Sequence, residues 1–103
     1  MTMRLASKMM TYRSENIVQR LTHIAERMDL LKAQRTVLLL QLPDLIKKRD
    51  WADTHASAQT WYHANVAVNQ AKREVKRIEK ELYELEWDRC KLDERLKKLN
   101  ELN

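Results

Sequence analysis

Four side chains in this 103-residue chain are suited to hold a soft metal or to act as a nucleophile: His23, His55, His63 and Cys90. A metal site on helices needs such ligands three or four residues apart on one face. No two of the four have that spacing, so the sequence predicts solvated histidines, no metal and no cofactor. Cys90 lies between Arg89 and Lys91, cations that favour a thiolate. With neither a base nor a resolving thiol assigned to it, the expectation is an ordinary half-exposed cysteine. Carboxylates crowd "EKELYELEWDRCKLDE", residues 79–94, in the manner of a solvated helix face rather than a paired acid and base.

The basic residues offer a different chemistry. The net charge is +5, and Lys72, Arg73, Lys76, Arg77 and Lys80 form a stripe that could meet phosphates. Lys47, Lys48 and Arg49 stand beside Trp51, whose ring could stack on an unpaired base or anchor a protein contact. Glu74, Glu79 and Glu81 interrupt the stripe, and no helix-turn-helix, zinc-finger or bZIP pattern accompanies it. Nucleic-acid binding is therefore the second alternative, behind protein binding.

Those side chains must be carried by helices. The chain has no Gly, where ordinary usage is about 7%. Without it, tight hairpin turns and phosphate-cradling loops lose the residue they depend on. Leu, Lys, Glu, Arg and Ala, all good helix formers, dominate instead. Two rows with alternating steps of three and four follow. One is Ile17, Leu21, Ile24, Met28, Leu31, Arg35, Leu38, Leu42 and Leu45. The other is Trp61, Ala64, Val68, Ala71, Val75, Ile78, Leu82, Leu85, Arg89, Leu92, Leu96 and Leu99. Both have the period of a coiled-coil seam.

The predicted fold is all-α: an antiparallel two-helix coiled-coil hairpin in a single domain over 1–103. Helix one is expected over 14–49, with Pro43 straining its last turns, and helix two over 54–102. Asp50 and Asp53 are the capping candidates, which places the reversal at 46–53. In the register that follows, facing seam residues total 99, setting Arg35 against Ala64, and the flanking positions total 101, setting Arg13 against Asp88, Arg20 against Glu81 and Arg27 against Glu74.

Two helices leave one surface bare. Leu30, Ala33, Val37 and Leu40 form a second apolar row on helix one, widened by Leu39, and Tyr83 and Trp87 point outward on helix two. A helix apolar on several faces belongs inside something. The cover is a short third helix from residues 1–13 using Leu5, Met9, Met10 and Tyr12, or a second copy, or a different protein. From this comes the functional expectation. The chain is not an enzyme and has no small-molecule substrate; it is a protein-binding factor that docks Leu30, Val37, Leu39, Leu40, Tyr83 and Trp87 on a larger protein or assembly. A homodimeric bundle is the first alternative. In size and helicity the chain is similar to the small coiled-coil accessory proteins of bacteria and their phages, secretion chaperones among them, which implies a regulating, inhibiting or chaperoning role. The single Cys90 suits a reducing compartment and hence the cytoplasm. No uncharged apolar run reaches the roughly 18 residues of a membrane span.

Overall fold

In a computed structural model, which describes the backbone of residues 2–102 and the side chains of residues 13–102, the protein is all-α. It has two long helices, α1 (Thr2–His55) and α2 (Ala58–Glu101), packed antiparallel. The chain divides into two compact units. The first joins residues 1–29 to 83–103, and the second, 30–82, is a helical hairpin containing the turn.

The expected reversal at 46–53 is corrected by the structure, in which α1 runs unbroken through Pro43 to His55. Proline in a helix interior forfeits the hydrogen bond to the carbonyl four residues back, here that of Leu39. Pro43 and Leu39 are both exposed, so water can take up the freed carbonyl. The seam meanwhile continues past the proline through Leu45, Arg49 and Ala52, and Ala52 is buried. Asp50 is not a cap either: it accepts a hydrogen bond from Arg49 Nε at 3.3 Å.

The cap is Ser57. Its Oγ accepts the Thr60 amide at 3.3 Å and its carbonyl accepts the Trp61 amide at 3.1 Å, so it serves as N-cap to α2. Only Ala56 and Ser57 separate the helices, and no described residue needs a positive φ there. A turn this tight brings the backbones close, and Ala52, Ala56 and Ala64 are small enough to allow it. Residues 2–13 are likewise part of α1 rather than a separate third helix. The side chains of Leu5, Met9, Met10 and Tyr12 fall outside the described residues.

Moving the turn moves the register. With Ala56 and Ser57 at the bend, facing residue numbers total about 113 instead of 99, a shift of two heptads. In the second unit Ala52 shares a groove with Thr60 and Ala64, and Leu38 shares one with Glu74 and Ile78. In the first unit Ile17 shares one with Arg95 and Leu99. A shift by whole heptads keeps seam residues on the seam. Leu31, Val68, Ala71, Val75, Ile78 and Leu82 are buried in the second unit, as are Met28 and Leu92 in the first. Each fully buried Leu, Ile or Val contributes roughly 1.5–3 kcal/mol. Arg35 therefore does not face Ala64, which lies instead with Lys48 and Ala52. Arg89 turns out of the seam and bonds Glu86 on its own helix.

Candidate functional site

The second apolar row of α1 is open to solvent in the second unit. Leu30 is 49% exposed, Val37 53%, Leu39 49% and Leu40 72%. Helical periodicity places Leu30, Ala33, Val37 and Leu40 along one stripe beside the seam. Ala33 and Val37 also form one wall of a groove floored by Leu38 and Ile78, with Glu74 and Arg77 on the opposite wall. Arg77 Nε donates to Glu74 Oε2 at 3.0 Å, and its other end lies 3.6 Å from Glu81. The hydrogen bonds from Arg77 hold the Glu74 carboxyl below its ordinary range, and Glu74 in turn raises the Arg77 guanidinium.

That pairing weakens the basic stripe. Lys72, Arg73, Lys76 and Lys80 are exposed as expected, but the charge of Arg77 is shared with two carboxylates. The basic cluster beside Trp51, expected at the reversal over 46–53, is also displaced from the bend. Lys47, Lys48, Arg49 and Trp51 belong to the last turns of α1, short of the bend. Lys47, Lys48 and Trp51 line a groove with Ala52, Thr60 and Ala64, while Arg49 is half-buried on the seam. Trp51 stacks on His55 with ring centroids 5.1 Å apart and planes 6° from parallel. His55 Nδ1 lies 2.7 Å from Thr54 Oγ1.

The other candidate ligands are dispersed. His23 is 4.0 Å from Glu26, and His63 meets the Tyr62 ring edge-on. Among the described residues no three His, Cys, Asp or Glu side chains gather as a metal site would require. Cys90 is exposed, its Sγ 3.9 Å from a Glu86 oxygen. The flanking cations are directed elsewhere, Arg89 to Glu86 and Lys91 over the Trp87 ring at 5.4 Å.

In the first unit Tyr83 and Trp87 are 72% and 58% exposed and border a shallow cleft with Glu84 and Asp88. Sequence reasoning missed a second feature of this unit. Arg13 and Arg20 of α1 meet Arg95 and Lys98 of α2 around a groove of about 380 Å³ whose floor is Ile17, Leu99 and Leu102. Among the described residues no carboxylate lines it. The register totalling 99 concealed this cluster by assigning acidic partners to Arg13 and Arg20; the signal that exposes it is the Ser57 cap, since placing the bend there brings the four cations together.

No described helix is long and apolar enough to cross a membrane. Comparison with known protein families, curated proteins and solved structures finds no match to the chain.

Proposed function

We propose that the protein is a small non-catalytic binding factor that docks the open face of α1 on a larger protein or assembly and so regulates, inhibits or chaperones it. The observation carrying this reading is the exposed stripe Leu30, Val37 and Leu40, continuous with a groove floored by Leu38 and Ile78. Such a stripe suits a partner helix that lays its own apolar residues beside α1. Burial of these side chains supplies affinity, and Glu74 and Arg77 on the far wall give the partner polar contacts at the rim. A cytoplasmic location accords with the free thiol of Cys90.

The test is a Leu40→Glu variant compared with the unaltered chain in recovery of bound proteins from the native host. Helical content should be unchanged and the recovered partner lost. Retention of the same partner by Leu40→Glu would remove the reading. A second reading, binding of RNA or DNA, draws on the stacked Trp51 and His55 rings beside Lys47 and Lys48. It requires affinity for single strands that falls steeply with salt and is lost in Trp51→Ala.

A further inference from the structure

Along α2 in the first unit, Glu84, Asp88, Lys91, Arg95 and Lys98 follow one another at steps of four and three. That spacing sets them on one stripe of the helix, and all five are exposed. The sign of charge changes once along it, from acidic at 84 and 88 to basic at 91, 95 and 98. The basic end borders the groove floored by Ile17, Leu99 and Leu102; the acidic end borders Trp87. Arg49, Arg77 and Arg89 each pair with a carboxylate on their own helix. By contrast Glu84, Asp88, Arg13, Arg20, Arg95 and Lys98 form no ion pair among the described residues.

We propose that this stripe is an interface between two copies of the chain, apposed antiparallel about a two-fold axis near Lys91. Glu84 of one copy then faces Lys98 of the second, and Asp88 faces Arg95. The axis repeats both pairs, so a polarised stripe is complementary to itself in this orientation and in no parallel one. Nucleic acid and an anionic lipid surface fit less well, because either would meet Glu84 and Asp88 as like charges and would leave the apolar floor unfilled. In the dimer, Trp87 of one copy approaches the Leu99 and Leu102 side of the other. Lys91 lies on the axis opposite its own counterpart, and its position over the Trp87 ring draws its ammonium aside. Exposed ion pairs are individually weak and association itself is costly, so the dimer is salt-sensitive and its charges chiefly select orientation. The surface is separate from the α1 stripe of the functional reading, and the two stand or fall independently.

The measurement is mass by sedimentation equilibrium over a concentration series at low and high salt. The unaltered chain should dimerise at low salt and dissociate at high salt. Arg95→Glu with Lys98→Glu makes the stripe acidic at both ends, with only Lys91 at its centre still basic, and Glu84→Lys with Asp88→Lys makes it wholly basic. Each double variant alone should be monomeric with unchanged helical content, and an equimolar mixture should recover the dimer. Leu40→Glu should leave the mass unaltered. A chain that stays monomeric at every concentration at low salt overturns the proposal, as does a dimer that survives both reversals. A dimer lost in Leu40→Glu but kept in the reversals would mean that copies meet through α1, and overturns it too.

Discussion

The Ser57 hydroxyl accepts the amide of Thr60 one turn ahead of it, and through that bond the start of α2 is set. Ser57 Oγ also lies 3.0 Å from Thr60 Oγ1, so the cap and the third residue of the helix hold each other. Replacing a serine N-cap by alanine costs about 0.5–2 kcal/mol, and by glycine only a few tenths. Ser57→Ala should therefore lower the thermal midpoint measurably while Ser57→Gly changes it little. Equal losses in the two would mean that Oγ is not the cap.

The heptad rows were legible because burial leaves a periodic mark. Every residue of the two seams is buried or half-buried except Arg89, and even the all-α antiparallel pairing follows from the pattern. The register was not legible, because seam residues still meet seam residues when one helix slides by whole heptads. The choice among registers then falls to weaker signals. Three opposite-charge pairs favoured the total of 99, yet exposed pairs contribute only about 0.2–1 kcal/mol each. Against them stand additional turns in both helices, the burial of Ala52 and a two-residue bend. Pro43 misled in the same direction. A proline inside a helix is costly, but its cost is local and the seam on either side outweighs it. The open row at Leu30, Val37 and Leu40 was visible at once, since no register of two helices can cover it. The cationic groove was hidden, since it exists only when Arg13 and Arg20 lie near Arg95 and Lys98.

Leu31 and Leu40 test the division between core and surface on the same helix. Leu31 is fully enclosed, whereas Leu40 is the most exposed leucine of the row. A buried Leu→Ala change costs about 2–5 kcal/mol, and a surface change away from special features usually lies within about 0.5 kcal/mol. Urea unfolding should show Leu31→Ala strongly destabilised and Leu40→Ala nearly unchanged at concentrations where the chain is unassociated. Comparable losses would place Leu40 inside the fold and remove the open row.

Pro43 offers a gain of stability rather than a loss. Proline is about 3 kcal/mol less favourable than alanine in a helix interior. Its restriction of the unfolded chain returns a part of that, about 0.4–1 kcal/mol in compatible settings. Since Pro43 is exposed and α1 is helical on both sides of it, Pro43→Ala should restore the amide donor to the Leu39 carbonyl without creating a cavity. The thermal midpoint should rise, and hydrogen exchange around residues 39–47 should slow. An unchanged midpoint with faster exchange would show that the chain depends on the proline at this point.

The Glu74 and Arg77 pair gives an acid-sensitive signature. Hydrogen bonding from Arg77 lowers the carboxyl of Glu74 in the folded chain, so the unfolded chain takes up the proton first as the pH falls. The stabilisation is complete above the ordinary carboxylate value of about 4.3 and is lost as the pH drops through the lower folded value. Arg77 stays cationic throughout that window, its guanidinium being shifted further upward. Both side chains are solvent-exposed, so the effect is small and weakened by salt. The difference in thermal midpoint between the unaltered chain and Glu74→Gln should be positive near neutrality and should close on acidification. A difference that persists unchanged into acid would assign the effect of the substitution to something other than the ionised pair.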